Sequence, residues 1–388
     1  MLFRSPAADL VIADECHRAT AASWRSVLDQ YPRAAVVGFS ATPCRMSGAP
    51  LGDLFNELVQ VTTPAQLVED GHLVPLRGWA FESPRLADIP RARGDFDTAA
   101  LELVMGGSRI LGSVVREYVE RASGTQAICF CVSREHSRTL AAEFVRAGVA
   151  AEHLDGTASR AERDAAFARF RSGDTRLLCN VDLFSEGVDL PNIETVILAA
   201  PTASLSRYLQ RVGRGRRPLP CSCGRIPHWR DAACVCGMPV SKAFCRLHDH
   251  SAGVQTHGLP DEPRVWSLDQ TMTVPKKQLA RGIGSVRTCA QCYAIFASDL
   301  GACPACGAVN KAKRRLIRNE QGVAVPLEQV RKRREFSPAE YLRALEFKSA
   351  RVNFRSPQSR AQWFVINFAR RFHRRPTAAD WAAAREVP

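Results

Sequence analysis

Short apolar runs alternate with helix-like segments through the middle of the chain, and this alternation limits the fold more than any other feature. Strand-sized runs occur at 127–132, 175–180 and 195–199, and helical patterns follow Arg134 and Ser159. Strands that alternate with helices are typical of a parallel sheet covered by helices on both faces. The sequence therefore predicts an α/β fold.

Helix ends in this region carry recognisable signals. The helix from about 134 to 147 has Gly148 as its terminator. The next helix opens with Ser159-x-x-Glu162, the pattern of a capping box, and is expected to stop at Gly173.

Two adjacent carboxylates, Asp14 and Glu15, end a short apolar run near the start of the chain. Leu10 to Ala13 is too short for a helix and is predicted to be a strand buried on both faces. Ligands of parallel sheets gather at the carboxyl ends of strands. One carboxylate there can hold hydrated Mg²⁺ while its neighbour orients a water. The pair is equally compatible with a helix cap.

A second apolar run, 34–39, ends in Ser40 and Thr42. If both runs are strands of one sheet, these hydroxyls lie near Asp14 and Glu15, where they can couple a phosphate site to a neighbouring surface. A helix cap before Pro43 explains them equally well.

A helix after Ser204 runs into a basic segment that contains Gln210, Arg214 and Arg217. The two arginines are three residues apart, so one turn can point both the same way. Alternatively they form a solvated basic helix end that the helix dipole favours.

These motifs, in this order, resemble the superfamily 2 DEAD/DEAH-box helicases, and most closely their bacterial and prophage-type members. The resemblance covers about residues 1 to 220 and continues more loosely through Asp249-His250 and 266–269. Its motifs are Asp14-Glu15-Cys16-His17, Ser40-Ala41-Thr42, Asp155-Gly156, Asn180-Val181-Asp182, Glu186-Gly187-Val188-Asp189, and Gln210-x-x-Gly213-Arg214-x-x-Arg217.

The resemblance implies two RecA-like lobes that close on ATP and step along nucleic acid. Asp14 would hold Mg²⁺ through water, and Glu15 would position the attacking water. His17 would link this motif to the second lobe, and Ser40 with Thr42 would transmit the nucleotide state. Gly187 and Asp189 would contact the nucleotide sugar and the arginine motif. The remaining implied roles are phosphate or water contact for Gln210 and arginine fingers for Arg214 and Arg217.

The family's phosphate-binding loop, Gly-x-x-x-x-Gly-Lys-Ser/Thr, belongs upstream of the carboxylates. Only thirteen residues precede Asp14, and no Gly-Lys dipeptide occurs in the sequence. Without that loop the β and γ phosphates lose their main donors. We therefore predict that the chain as written hydrolyses ATP poorly or not at all. It would be a helicase truncated before the loop, or a half that needs a second chain carrying it. The strand at Leu10 would then keep an exposed apolar edge.

Two groups of four cysteines have the spacing of metal ligands. Cys289-x-x-Cys292 and Cys303-x-x-Cys306 predict a closed, structural zinc ribbon, against the alternative of four buried free cysteines. The second group has one intervening residue in each pair, and His228, Cys245, His248 and His250 are alternative ligands nearby. It predicts a second Zn²⁺ at Cys221, Cys223, Cys234 and Cys236.

The charge of the chain is concentrated at its end. Residues 307–388 hold 19 Lys and Arg against 7 Asp and Glu, which accounts for +12 of the net +14. Such a tail favours a nucleic-acid partner. For the tail aromatics Trp363, Phe364 and Phe368 we predict the core of a small helical module, with stacking on bases as the alternative. With no signal peptide or membrane-length apolar run, we expect a cytoplasmic protein without membrane contact.

The predicted architecture is α/β, with a partial first RecA-like lobe and a complete second one, followed by a zinc ribbon and a basic helical tail. The expected segments are 1–82 for the first lobe, 83–100 for a linker, 101–220 for the second lobe, 221–270 for a Cys-rich insertion and the continuation of that lobe, 285–310 for the ribbon, and 311–388 for the tail.

The predicted function is that of a DEAD/DEAH-box helicase or translocase using ATP, Mg²⁺ and Zn²⁺, with DNA favoured over RNA. The alternatives are a non-enzymatic nucleic-acid-binding protein that retains the fold and a restriction-type translocase subunit.

Overall fold

A computed structural model describes residues 7–18, 22–45, 47–92, 94–183, 190–272, 274, 278, 285–309, 337–349, 357–372 and 374–386. The chain divides into two compact units, Met1–Ala312 and Lys313–Pro388. Among the described residues no single helix is long and apolar enough to cross a membrane. One bent pair of helices has the length and composition to do so, and nothing else indicates it.

A two-stranded parallel sheet carries the two early motifs. Strand β1 (Leu10–Ala13) pairs with β2 (Ala35–Gly38), and a 3-10 turn (Cys16–Arg18) and helix α1 (Ala22–Leu28) join them. The strand prediction is confirmed, but the predicted burial on both faces is wrong. Leu10 is 51% exposed and Ile12 is 61% exposed, and among the described strands β1 pairs with β2 alone.

A six-stranded parallel sheet forms the larger layer, in the order β3-β10-β9-β6-β8-β7. Its strands are β3 (Leu76–Ala80), β6 (Ala127–Phe130), β7 (Ala151–Leu154), β8 (Leu177–Asn180), β9 (Thr195–Leu198) and β10 (Cys245–Asp249). We call β1, β2 and α1 the first lobe and this sheet with its helices the second lobe. The predicted α/β architecture is confirmed.

Helices cover the larger sheet on both faces. The helices of the first unit after α1 are α2 (Pro64–Glu69), α3 (Thr98–Met105), α4 (Ser108–Ala122), α5 (Arg134–Arg146), α6 (Arg160–Ser172), α7 (Leu205–Gly213) and α8 (Gly253–His257). Alternate residues of the central strands feed two separate cores, with Ile128 and Phe130 on one face and Cys129 on the other. The strands are continuous apolar runs because both faces are buried.

Helix α6 begins and ends as its sequence predicts. The Ser159 side chain accepts from the Glu162 amide and the Glu162 side chain accepts from the Ser159 amide, which completes the capping box. Gly173 follows the helix with φ +86°, a left-handed conformation that favours glycine.

Two expected segment boundaries differ from the structure. Strand β3, expected in the first lobe, pairs with β10 at the edge of the larger sheet. The expected linker contains a short hairpin of β4 (Arg91–Ala92) and β5 (Asp95–Phe96), followed by α3. Both assignments depend on long-range pairing, which local composition does not show.

The remaining elements are two small strands and three helices. Strands β11 (Val286–Thr288) and β12 (Ile295–Ala297) form an antiparallel pair that flanks Cys289 and Cys292, the first cysteine pair of the predicted ribbon. In the second unit, helices α9 (Pro338–Ser349), α10 (Pro357–Phe372) and α11 (Ala378–Glu386) enclose a separate core.

The aromatic residues of the second unit lie in that core, as predicted. Phe364 and Phe368 are buried, and Trp363, Phe372 and Trp381 pack against them. Part of the predicted basic tail, including the Lys- and Arg-rich runs 311–315 and 331–334, lies outside the described residues.

Candidate active site

The paired carboxylates lie directly after β1, at its carboxyl end. The Asp14 side chain is exposed, and its Oδ1 accepts from the Glu15 amide at 2.9 Å. Glu15 is half-buried and has φ +47°, a strained conformation for a residue with a side chain. Strain of this kind clusters at functional sites.

Cys16 anchors the turn beneath the carboxylates. Its side chain is buried against the end of β2, where a Cβ on Gly38 would lie 2.7 Å from Cys16 Sγ. Burial raises the pKa of Cys16, so the thiol stays neutral. Close packing at Gly38 therefore holds the two strand ends together.

His17 joins the two lobes. Its ring is buried, and Nε2 lies 3.0 Å from Gln210 Nε2 on α7 of the second lobe. Nδ1 lies 3.1 Å from Ser40 Oγ and 3.3 Å from Glu15 Oε2. If the Gln210 amide donates to Nε2, Nδ1 must carry the proton and donates to Ser40 or Glu15. One imidazole thus connects both motifs of the first lobe to the arginine segment.

Thr42 makes a second hydrogen bond between the lobes. Its hydroxyl lies 2.8 Å from Ser206 Oγ, and both side chains are buried. The Thr42 amide donates to Ser40 Oγ at 3.1 Å. Ser206 and Gln210 are four residues apart, so they lie on one face of α7 and present it to the first lobe.

A buried arginine fixes another side of α7. Arg211 donates to the carbonyl oxygen of Ala200 at 2.8 Å and to Asp182 Oδ1 at 3.0 Å, and it lies over the Phe130 ring. Asp182 belongs to the motif that follows β8. The hydrogen bonds of Arg211 therefore fix α7 relative to the strand ends of the second lobe.

The amino-terminal end of α7 is held by a residue of the short hairpin. Asp95 accepts from the Ala203 amide and the Thr202 hydroxyl, each at 2.6 Å, and pairs with Arg207 at 3.0 Å. Sequence reasoning missed Asp95, since this contact spans more than a hundred residues. It also missed Ser206, although its spacing from Gln210 was a usable signal.

The predicted arginine fingers follow α7. Arg214 is half-buried at the end of the helix. Arg217 lines a cleft of about 480 Å³ together with Asp70, His72 and His228. The described contacts bring His17, Ser40, Thr42 and Gln210 together, but place neither arginine against the carboxylates. Gly187 and Asp189 lie outside the described residues.

Two separate segments of the chain match known protein families, and each segment contains one of the motif regions described above. Residues 110–218 match the model of the helicase conserved C-terminal domain, and residues 2–45 match that of the type III restriction enzyme res subunit. The first match contains Gln210 and the second contains His17, the two residues that meet between the lobes. The chain belongs to the superfamily 2 helicases.

Curated relatives of this superfamily 2 chain differ widely in length. A 51.5 kDa protein of a Lactococcus phage (isolate 7-9) is 32% identical over 77% of this chain and 61% of its own length. The type I restriction enzyme EcoAI endonuclease subunit of Escherichia coli is 24% identical over 54% of this chain and 29% of its own length. The ATP-dependent RNA helicase eIF4A of Schizosaccharomyces pombe is 31% identical over 25% of each. The chain spans less than two thirds of each of these relatives.

Among solved structures, the DNA-bound Type ISP restriction-modification enzyme LlaBIII has a TM-score of 0.41 at 15% identity, over 64% of this chain and 18% of that one. Dbp5 of Saccharomyces cerevisiae, bound to RNA and ADP BeF3, scores 0.38 at 16% identity, over 63% and 54%. These scores are too low to carry an argument.

Both predicted cysteine groups of this helicase-family chain converge, and each can hold a metal ion. In the ribbon, Cys289 and Cys306 sulfurs lie 3.7 Å apart and those of Cys292 and Cys303 3.6 Å apart. Backbone amide donation, first from Cys292, lowers the pKa of Cys289 to about 6, which favours the thiolate.

The less regular group is equally compact. Cys221 and Cys236 sulfurs lie 3.4 Å apart, and those of Cys223 and Cys234 lie 3.7 Å apart. An amide hydrogen bond from Cys223 is the main cause that lowers the pKa of Cys221 to about 6. The alternative ligand His228 accepts from the Arg230 amide and contacts the Glu69 carbonyl oxygen, so it is already engaged elsewhere.

Each cysteine group is docked onto the second lobe. The Cys221 group caps α2, since Trp229 donates to the Val68 carbonyl oxygen at 2.7 Å. The ribbon covers β3, where the Ala80 amide donates to the Tyr293 carbonyl oxygen at 3.0 Å. An edge strand left open would expose its backbone groups to other chains.

A third group of thiols was not predicted. Cys129, Cys131 and Cys179 lie together on β6, just beyond it and on β8 respectively, fully buried in the core of the second lobe. Burial raises the pKa of Cys179, whereas hydrogen bonds from Cys129 and Cys179 lower the pKa of Cys131 against the effect of burial. All three side chains belong to one hydrophobic core of the second lobe.

Proposed function

We propose that this superfamily 2 chain supplies the water-activating and sensing side of an ATPase that drives movement along nucleic acid. The two hydrogen bonds between the lobes, His17 to Gln210 and Thr42 to Ser206, carry this proposal. They connect the carboxylate pair to α7, so a movement of either motif alters hydrogen bonds in both lobes. The net charge of +14 supports a nucleic-acid partner, with DNA favoured.

The carboxylates fit their proposed roles. Asp14 is an exposed oxygen donor, which suits Mg²⁺ bound through water, and the half-buried Glu15 orients the attacking water. When bound, the metal ion neutralises charge that develops on the transferred phosphoryl group. His17 holds Glu15 in place, and its contact with Gln210 depends on the position of α7. Arg214 and Arg217 serve as arginine fingers when the lobes close.

The donors for the β and γ phosphates are the part of this site that the sequence does not offer. No Gly-Lys dipeptide occurs among the 388 residues. We propose that these donors come from a phosphate-binding loop outside the 388 residues, on this polypeptide or on a partner chain.

A restriction-type translocase subunit is the second candidate. It is favoured by the match of residues 2–45 to the type III restriction enzyme res subunit, because that match includes the carboxylate pair. Both candidates use the same ATP-driven motor, and they differ in the partner chains that the motor serves.

Replacing Glu15 by glutamine tests the catalytic assignment. In single-turnover assays with protein in excess over ATP and single-stranded DNA present, hydrolysis by Glu15→Gln is expected to fall at least about 10²-fold, because general-base assistance is worth that much. Asp9→Asn, which changes an exposed carboxylate before β1, is the control. Equal rates for wild type and Glu15→Gln, both above the protein-free background, would leave the carboxylate without a catalytic role and favour a non-enzymatic binding protein.

The two cysteine groups are proposed to hold one structural Zn²⁺ each. Four sulfurs about 2.3 Å from a tetrahedral zinc ion lie about 3.8 Å from one another. The sulfur pairs given above, at 3.4 to 3.7 Å, fit that arrangement. All four positions of each site are occupied by protein, which indicates a structural role.

Metal analysis of the purified chain is expected to give two zinc ions. Cys292→Ser with Cys306→Ser should leave one, and Cys223→Ser with Cys236→Ser should leave the other, since each pair removes two of four ligands. The two double variants control for each other. A single zinc ion in the wild type would contradict the second site.

A further inference from the structure

Two arginines lie side by side on the outer part of the larger sheet. Arg77 on β3 and Arg246 on β10 are direct partners in the parallel register. Like charges opposite each other normally destabilise a sheet. Here both guanidinium groups are held against one aromatic ring, with Cζ 4.0 Å and 4.7 Å respectively from the centre of Phe244. Attraction to the ring face fixes both groups in one place.

Neither guanidinium group has a carboxylate partner in the described part of the chain. Other arginines of this unit do have one, as Arg211 does in Asp182 and Arg230 in Glu69. The charge of Arg246 is not cancelled at His248, where burial and then the positive charges of Arg121 and Arg246 lower the pKa of the ring.

The arginine pair is separate from the candidate active site. Arg246 is the second residue of β10, and the strand reaches its carboxyl end at Asp249. At about 3.3 Å per residue, the pair lies roughly 10 Å back from the edge where strand ends face α7. It therefore has no part in the contacts between the lobes described above.

Two planar guanidinium groups on one support are suited to phosphate. Each offers five N–H donors in a fixed fork that matches the oxygens of a phosphodiester. Phe244 is half-buried with both arginines against it, so its ring is occupied and base stacking is not its role. This geometry suits contact with the phosphate groups of a nucleic-acid backbone, and such a contact does not distinguish one base sequence from another.

We infer that Arg77 and Arg246 form a phosphate clamp for a nucleic-acid strand on the second lobe, beside the strand edge that the ribbon covers. The inference rests on the proposed function for its nucleic-acid partner. Occupation of this site would neutralise two like charges that the fold holds together. It would also give the strand a contact on the second lobe that is separate from the candidate active site.

Salt-dependent binding of a fluorescent single-stranded oligonucleotide tests the clamp. Each phosphate contact contributes about 0.7 to the slope of log affinity against log salt concentration for a single strand. Arg77→Gln with Arg246→Gln is therefore expected to lower the slope by about 1.4. Arg146→Gln with Arg160→Gln, which removes the same charge from exposed positions on α5 and α6, should keep the wild-type slope.

The outcomes separate the inference from the proposed function. No binding by the wild type would overturn both. Binding by the wild type with equal slopes for the two double variants would overturn the clamp alone. Loss of binding to a glutamate-rich peptide in the Arg77 and Arg246 variant, with the DNA slope unchanged, would also overturn it and assign the pair to an acidic protein segment. Matching thermal unfolding midpoints for all three proteins establish that the folds are comparable.

Discussion

Acidification from pH 7 to pH 5 is expected to destabilise the second lobe by about 4 kcal/mol through two histidines alone. His248 and His250 are fully buried on β10 and just beyond it, and their four ring nitrogens have no hydrogen-bond partner in the described residues. Burial is the main cause that lowers the pKa of His248 to about 3, and it lowers that of His250 well below the usual value.

The direction of the effect follows from these pKa values. A histidine in the unfolded chain takes up a proton near pH 6.5, whereas these two remain neutral in the folded protein to much lower pH. The unfolded state therefore binds more protons as the pH falls below about 6.5, and stability is lost. Above that pH both states are neutral and the contribution is fully present. Each histidine costs about 2 kcal/mol at pH 5.

Chemical unfolding at pH 7, 6 and 5 measures this effect. His248→Phe with His250→Phe keeps two rings in the cluster around Phe81 and Trp79 and gives up no hydrogen bond. That variant should lose about 4 kcal/mol less than the wild type between pH 7 and pH 5. Cysteine ligands also take up protons in acid, so only the difference between the proteins is diagnostic. Equal losses would mean that the histidines are charged in the folded state. His72→Asn, at an exposed histidine, is the control.

Asp249→Ala is expected to cost at least about 3 kcal/mol of unfolding free energy, because buried donors would lose their acceptor. Oδ1 accepts from the Ser251 amide and hydroxyl and from the Gly253 amide, at 2.7 to 3.1 Å, and Oδ2 accepts from the Val254 amide at 2.7 Å. The N-cap residue of α8, Ala252, has no side-chain acceptor of its own. Asp249 therefore caps α8 from the end of β10.

Two further variants are the references against which the loss for Asp249→Ala is compared. Asp249→Asn keeps an oxygen for the Oδ1 donors but turns an amide toward Val254, so an intermediate loss is expected. Asp164→Ala, at an exposed carboxylate on α6, should change stability by less than about 0.5 kcal/mol. A loss below about 1 kcal/mol for Asp249→Ala would show that the donors find other partners.

Local signals predicted the parts of the fold that depend on neighbouring residues. The capping box at Ser159 and the stop at Gly173 are present as predicted, and so are the short strands of the second lobe. Cysteine spacing predicted which sulfurs converge in each of the two groups, because one turn of chain brings each pair of sulfurs together. The contact between the lobes at His17 is what the helicase resemblance implied, and the structure supplies Gln210 as its partner.

Contacts between distant segments could not be predicted in the same way. Nothing local marks β3 as a partner of β10, or Asp95 as the residue that holds the start of α7. Burial of β1 was predicted wrongly because an apolar run shows a tendency to be covered but not the elements that cover it.

The sequence by itself determined the α/β class, the helix ends, the cysteine groups and the order of the helicase motifs, since each depends on residues close together in the chain. Only the tertiary structure decided that Ser206 meets Thr42, that the ribbon covers β3, and that Arg77 and Arg246 share one ring. The physical reason is that burial and pairing depend on which segments meet in space. The motif at Asp14 and Glu15 became a candidate site once α7 was shown to reach it through His17.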